Sequence, residues 1–213
     1  MSEPTRSSQE PTREADFREK QLAAALAQQD AGRYSDLDRR PGRIPQQPLR
    51  PAAVLLLLER TPGYSVILTK RTDLVEHHKG EISLAGGMAD PGDRDSTHTA
   101  LREAHEELGV EPQHVDVIGQ LGELITVTGF EVQPIVGIIN AEYPMVPQET
   151  EVESILRVPM SVLRDPAAWF EDVREWQGKR YVLRSCRWQD EVIWGATSKI
   201  LQRFLEVVPA SIL

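Results

Sequence analysis

Three closely spaced glutamates, Glu103, Glu106 and Glu107, are the residues of this chain best suited to metal chemistry. On a helix that turns by about 100° per residue they fall within an arc of roughly 100°. Like charges four residues apart destabilise a helix by about 0.2–0.5 kcal/mol per pair, and a bound divalent cation would reverse that effect. Carboxylate oxygens suit Mg²⁺ or Mn²⁺, ions that usually act together with substrate phosphates. The alternative is a solvated acidic helix face, which is the commoner meaning of a charge run.

The elements around these glutamates favour the metal site. A helix is predicted over residues 96–108, with Asp95 or Ser96 as its N-cap and Gly109 as its terminator. Leu101, Ala104 and Leu108 share an adjacent arc and can anchor this helix to the core. The pair Gly86-Gly87 precedes it, and glycine lets the backbone approach an ion closely enough for a carbonyl to point at it.

Hydrophobic patterning predicts a mixed α/β protein. A hairpin joins strands at 52–58 and 64–69 through a turn at 61–63. Further strands are predicted at 82–84, 115–118, 122–127 and 132–139, and further helices at 16–30, 159–163 and 196–205. Residues 169–194 have a mixed pattern. The predicted organisation is a disordered tail at 1–15, an N-terminal helix and connector at 16–47, and one catalytic domain at 48–213.

Charge and composition exclude several classes of protein. Asp and Glu number 33 against 24 Lys and Arg, a net charge of −9 that argues against a nucleic-acid binder. Residues 90–111 hold seven acids and two bases, a net of −5, so more than half of the excess lies around the three glutamates. The single cysteine, Cys186, excludes a disulfide framework and a cysteine-based zinc site. With no long apolar run and no signal peptide, we expect a soluble cytoplasmic protein without membrane partners. The sequence leaves open whether the protein forms a homodimer.

The segment from Gly87 to Val110 resembles the Nudix box, G-x5-E-x7-R-E-U-x-E-E-x-G-U, where U is aliphatic. The second half of the box, R-E-U-x-E-E-x-G-U, is matched at every fixed position by the residues from Arg102 to Val110. The first half departs, because the acidic position is Asp93 and eight residues instead of seven separate it from Arg102. This insertion with aspartate is common in the coenzyme A pyrophosphatase branch of the family, so the chain resembles that branch.

An upstream motif of the same branch, L-L-T-x-R-S-x3-R-x3-G-x3-F-P-G-G, is matched in register between residue 67 and the glycine pair. Leu68, Thr69, Arg71 and Gly80 occupy fixed positions of the motif, and Lys70 occupies its variable position before the arginine. The departures are Ile67, Thr72, Glu76, Leu84 and Ala85. Glu76 matters most, because it puts an anion where the branch has a cation, although His77, His78 and Lys79 could compensate. These departures leave the substrate open.

The resemblance implies a Nudix α/β/α sandwich with a mixed sheet. It also implies Mg²⁺- or Mn²⁺-dependent hydrolysis of coenzyme A to adenosine 3′,5′-bisphosphate and 4′-phosphopantetheine. The implied metal ligands are Glu103, Glu106, Glu107 and Gly86, with Glu103 or Glu106 as general base and Arg102 orienting a carboxylate. Arg71 and Lys70 are the implied substrate contacts, and Arg71 is otherwise a surface arginine at a strand end. Glu151 is either a further metal ligand or a simple strand-start residue. Two alternatives remain: another nucleoside diphosphate substrate such as ADP-ribose, NADH or a dinucleotide, or a non-catalytic nucleotide-binding module.

Overall fold

A computed structural model describes residues 13–29, 32, 34–35, 48–73, 80–176 and 179–213. The helices are α1 Arg13–Gln28, α2 Ser96–Leu108, α3 Met160–Arg164 and α4 Gly195–Val207. The first six strands are β1 Tyr34–Ser35, β2 Arg50–Arg60, β3 Ser65–Arg71, β4 Ile82–Ser83, β5 Ala85–Met88 and β6 Asp116–Gln120. The other six are β7 Leu124–Ile125, β8 Phe130–Asn140, β9 Val152–Pro159, β10 Trp169–Trp176, β11 Lys179–Trp188 and β12 Glu191–Ile193.

A mixed sheet of nine strands forms the centre of the molecule. Its main order is β1-β7-β8-β2-β3-β4, with β5 added to β2, β6 to β8 and β9 to β3. The two longest strands, β2 and β8, run parallel over their whole length, whereas β3 and β5 pair antiparallel with β2. A second sheet contains β10, β11 and β12 in antiparallel order.

Helices cover both faces of the large sheet. Alternate residues of β2 point to opposite faces, so Leu55 and Leu56 enter different hydrophobic clusters. One cluster is closed by α2, and the other is closed by α1 and α4. The predicted α/β/α sandwich with a mixed sheet is therefore confirmed. None of the helices in the described ranges is long and apolar enough to cross a membrane.

Predicted elements with strong local signals are present. Helix α2 has the predicted bounds, and β2 and β3 form the predicted hairpin. Helix α1 begins at Arg13, three residues inside the predicted tail, because ion pairs four residues apart, such as Arg18 with Glu14, support its first turns. Residues 169–194, whose sequence pattern is mixed, contain the three strands β10, β11 and β12. Residues 1–12 and 36–47 lie outside the described residues, as do Glu76 and its neighbours at 74–79.

Helix α1 is part of the core. Leu22 and Leu26 are buried in the same cluster as residues of α4. The Arg60 guanidinium pairs with Glu19 of this helix at 2.7 Å and with Asp116 at 2.6 Å. The helix is thus fixed to the sheet by apolar contacts and by a partly buried ion-pair network.

Candidate active site

Helix α2 is held firmly at both ends. The Asp95 side chain accepts a hydrogen bond from the backbone N–H of His98 and caps the first turn. Gly109 ends the helix in the left-handed region, at φ 64°, where its N–H can bond back to the last turn. Ala104 and Leu108 are buried against the sheet. This anchoring places Glu103 and Glu107 against the two glycines of strand β5.

The glycine pair of β5 forms the wall that these glutamates face. Gly86 and Gly87 pair with Val54 and Ala53 of β2. A Cβ added to Gly87 would lie 2.5 Å from Oε1 of Glu103, and one added to Gly86 would lie 2.6 Å from Cα of Val54. Gly87 therefore makes room for a carboxylate, and Gly86 makes room for the neighbouring strand.

Glu107 is the most deeply buried of the three glutamates, at 4% exposure. The Gly86 backbone N–H donates to its carboxylate. Among the described residues, its Oε2 atom has no hydrogen-bond partner. Burial raises the pKa of Glu107 to about 8, and the Arg71 guanidinium, 4.0 Å away, opposes that shift only in part. A buried carboxylate with an unpartnered oxygen suits a cation as its partner.

Arg102 connects three carboxylates. Its Nη1 donates to Glu103 at 2.9 Å and to Glu106 at 3.1 Å. Its Nε and Nη2 donate to the two oxygens of Asp93, each at 3.1 Å, and Asp93 also accepts from the Thr99 hydroxyl. The arginine holds the pKa of Asp93 well below its usual range. Asp93 is thus a positioning residue that the candidate set from sequence left out, although its acidic place in the box was the signal for it.

The three glutamates differ in exposure, and so in chemistry. Glu106 has a side-chain exposure of 56%, whereas that of Glu103 is 17%. Burial is the main cause of the raised pKa of Glu103. The negative charge of Glu151 also raises the pKa of Glu103 and that of Glu107. Within the described part of the chain, no three acidic, histidine or cysteine side chains form a preassembled metal site. The carboxylate oxygen donors and the unpartnered Glu107 oxygen nevertheless fit a hard divalent cation.

The two basic residues predicted to contact substrate lie in different places. Arg71 approaches Glu107 from the end of β3 and has a buried Nε without a hydrogen-bond partner among the described residues. Lys70 instead pairs with Glu191 at 2.9 Å and with Glu153 at 3.2 Å. The structure brings Arg71 to the acidic helix and directs Lys70 elsewhere.

Fold and site together define an α/β/α protein that sets an acidic helix against a glycine-containing strand. Residues 48–176 match the NUDIX domain. The chain belongs to the Nudix family.

Its relatives include plant and bacterial proteins. It is 34% identical over 178 residues to "Nudix hydrolase 15, mitochondrial" of Arabidopsis thaliana, which covers 80% of this chain and 62% of the relative. It is 33% identical over 163 residues to "Uncharacterized Nudix hydrolase NudL" of Pectobacterium atrosepticum, with coverages of 76% and 85%. The chain thus spans less than two thirds of the plant relative. A solved structure from Deinococcus radiodurans is 15% identical, with a TM-score of 0.49 and coverages of 78% and 89%.

Proposed function

We propose that this protein is a metal-dependent pyrophosphohydrolase that cleaves the diphosphate bond of coenzyme A or its derivatives. The products would be adenosine 3′,5′-bisphosphate and 4′-phosphopantetheine. The observation that carries the proposal is the burial of Glu107, with one oxygen unpartnered, between Gly86 and Arg71. The coenzyme A assignment rests on the aspartate insertion in the box and on the register of the upstream motif.

Glu103, Glu106, Glu107 and the carbonyl of Gly86 would hold Mg²⁺ or Mn²⁺. When bound, such ions screen the diphosphate charge, polarise its phosphoryl oxygens and acidify a coordinated water. A cation would affect Glu107 most, because burial raises its pKa and a bound cation would favour the charged form that burial disfavours. Helix α2 supplies the three side chains from one capped element.

Side chains of the protein itself have the remaining proposed roles, which are substrate binding, positioning and proton transfer. Arg71 would clamp a phosphate, since its planar guanidinium can bond two oxygens at once. Arg102 would hold Glu103 and Glu106 in place while Asp93 holds Arg102. Glu103 is the better general base, because burial raises its pKa and shields it from solvent, whereas Glu106 is exposed. We leave Lys70 out of the substrate contacts, since two glutamates hold it elsewhere.

A substrate panel tests the assignment. Coenzyme A, ADP-ribose, NADH and dinucleoside polyphosphates are each incubated with the protein and Mg²⁺ or Mn²⁺, and the products are separated. We expect coenzyme A to give the highest kcat/KM and to yield the two products named above. Fastest turnover of a substrate without pantetheine would overturn the coenzyme A assignment.

A second candidate substrate class is supported by Leu84 and Ala85. These residues replace the phenylalanine and proline of the upstream motif, and both are buried beside the glycine pair. Both side chains pack in the core, Leu84 in the cluster with α1 and α4 and Ala85 in the cluster with α2. Their departure from the motif favours ADP-ribose, NADH or a dinucleotide as the alternative substrate, and the same panel distinguishes these. A non-catalytic nucleotide-binding module would turn over none of them.

Substitution of Glu107 tests the metal site. Glu107→Gln keeps the shape of the side chain but removes its charge, so turnover should fall by orders of magnitude while the circular dichroism spectrum stays native. Glu111→Gln, an exposed acid just beyond α2, serves as the matched control and should retain activity. Full activity in Glu107→Gln would contradict the assignment.

A further inference from the structure

The end of strand β3 is bonded to a segment far along the chain, residues 148–151, which we call the bridging loop. Arg71 is the last residue of β3, and Thr72 follows it. The Thr72 N–H donates to the Glu151 carbonyl at 2.9 Å, and the Thr72 hydroxyl donates to the Thr150 carbonyl at 3.1 Å. Thr72 is only 7% exposed, so these bonds are made largely away from solvent.

The bridging loop is also bonded to the C-terminal end of α2. The Gln148 N–H donates to the Glu107 carbonyl at 2.9 Å. Within the loop, the Glu151 N–H donates to the Gln148 carbonyl at 2.9 Å. A short chain of hydrogen bonds therefore leads from Thr72 to the backbone of Glu107. Because one loop is bonded to both elements, it sets the spacing between the end of β3 and helix α2.

This spacing matters for Arg71, whose side chain reaches from β3 toward α2. Its Nη1 lies 4.0 Å from Oε1 of Glu107, a charge contact too long to be a hydrogen bond. On the side of β4, its backbone N–H donates to the Glu81 carbonyl at 3.0 Å, and its carbonyl accepts from the Gly80 N–H at 3.1 Å. On the side of α2, the next residue, Thr72, supplies the bonds to the bridging loop. The place of the guanidinium thus depends on the backbone at residues 71 and 72.

We propose that Thr72 is a positioning residue that holds Arg71 at its place beside Glu107. The inference rests on the proposed function, in which Arg71 clamps a phosphate of the substrate. The Thr72 hydroxyl bonds the bridging loop, so it acts through Arg71 and not on the substrate. Without this hydroxyl the loop is held to β3 less firmly, and the guanidinium shifts relative to the carboxylates of α2. A clamp displaced by about 1 Å can lose orders of magnitude in effect.

Binding of methylenediphosphonate, a diphosphate analogue that cannot be hydrolysed, tests the role of the hydroxyl. Isothermal titration calorimetry of the full chain in Mg²⁺ measures its affinity. Thr72→Val has the same shape without the hydroxyl and should bind about tenfold more weakly, as should Thr72→Ala. Thr72→Ser keeps the hydroxyl and should bind like the wild type. The rise in melting temperature on adding Mg²⁺ alone should stay unchanged, because the proposed metal ligands lie on α2 and at Gly86.

A double-mutant cycle tests whether Thr72 acts through Arg71. Arg71→Ala removes the guanidinium and should itself weaken binding of the diphosphonate. In that background Thr72→Val should change the affinity by less than about twofold, since residues that act together are not additive. Additive losses in the double variant would mean that Thr72 acts independently of Arg71, which would overturn the inference.

Thr61→Val is the matched control. Thr61 lies in the turn before β3, at the end of the strand opposite Arg71, and its hydroxyl lies 3.2 Å from that of Ser65. Its loss should leave diphosphonate binding unchanged. Equal affinities of the wild type and Thr72→Val would overturn the inference and leave the proposed function intact. A wild type that binds no diphosphonate in Mg²⁺ would instead contradict the phosphate clamp itself, and the role of Thr72 with it.

Discussion

Burial of the Glu107 carboxylate lowers the stability of the folded protein, although the proposed chemistry uses this side chain. Its folded-state pKa of about 8 lies above the ordinary value of 4.5 for a glutamate side chain, mainly because burial disfavours the charged form. Between these two pH values the folded state binds more protons than the unfolded state. Stability therefore falls as pH rises through this window, since the sign follows the difference in bound protons.

Glu107→Gln should stabilise the metal-free protein while removing activity. The neutral amide avoids the cost of burying a charge, so we expect a higher melting temperature with a chelator present. The gain should be larger near pH 8.5, just above the folded pKa of about 8, than near pH 5. Each 1 kcal/mol corresponds to about 2–4 °C in a chain of this size.

The exposed neighbour Glu106 provides the comparison. Glu106→Gln loses an exposed pairing with Arg102 and should not raise the melting temperature. Added Mg²⁺ should stabilise the wild type more than Glu107→Gln, because ligand binding to the native state adds to its stability. Equal stabilisation by Mg²⁺ in both proteins would contradict Glu107 as a ligand.

At the scale of elements, alanine substitutions of the two glycines of β5 should have different effects on activity and stability. An added Cβ at Gly87 meets the flexible end of Glu103, whereas one at Gly86 meets the backbone of Val54. Gly87→Ala should therefore fold with a near-native melting temperature and lose about tenfold or more in kcat through displacement of Glu103. Gly86→Ala should lower the melting temperature. A stable, fully active Gly87→Ala protein would show that the Glu103 position is not needed for turnover.

Helix α2 could be predicted from the sequence because its caps and its apolar arc are local. Strand β5 was not predicted, because Ala85–Met88 contains no β-branched residue and its pairing depends on β2, more than twenty residues away. The order of burial among the glutamates was not predictable either. The Gln148 N–H bonds the Glu107 carbonyl and the Val146 N–H bonds that of Leu108, so a distant loop packs over the end of the helix.

The separation of Lys70 from Arg71 had a signal in the sequence. Neighbouring residues of a strand point to opposite faces, so two adjacent bases in one strand rarely reach the same ligand. Ile67 packs toward α2 and Leu68 toward α4. The β3–β9 register shifts between Lys70 and Arg71, and the contacts themselves place Arg71 beside Glu107 of α2 and Lys70 beside Glu191. Strand geometry therefore favours Arg71 over Lys70 as a contact for a ligand held by α2, and both substrate contacts stay predictions.

For the whole molecule, the fold extends beyond the matched domain at both ends. The NUDIX match covers residues 48–176, yet Leu22 of α1 and Phe204 of α4 are fully buried in one cluster. Removal of either helix would expose the face of the sheet opposite α2. The strands that carry the candidate active site thus pack against segments outside the matched region.

This dependence predicts that Leu22→Ala destabilises the protein. Loss of a buried leucine side chain costs about 2–5 kcal/mol, since contacts disappear and a cavity remains. Phe17→Ala on the same helix is the control, because Phe17 is 60% exposed and its loss should change stability by less than about 0.5 kcal/mol. Urea unfolding measures both values. Similar midpoints for wild type and Leu22→Ala would mean that α1 adds little to the core, and the catalytic fold would then be confined to the residues after the connector.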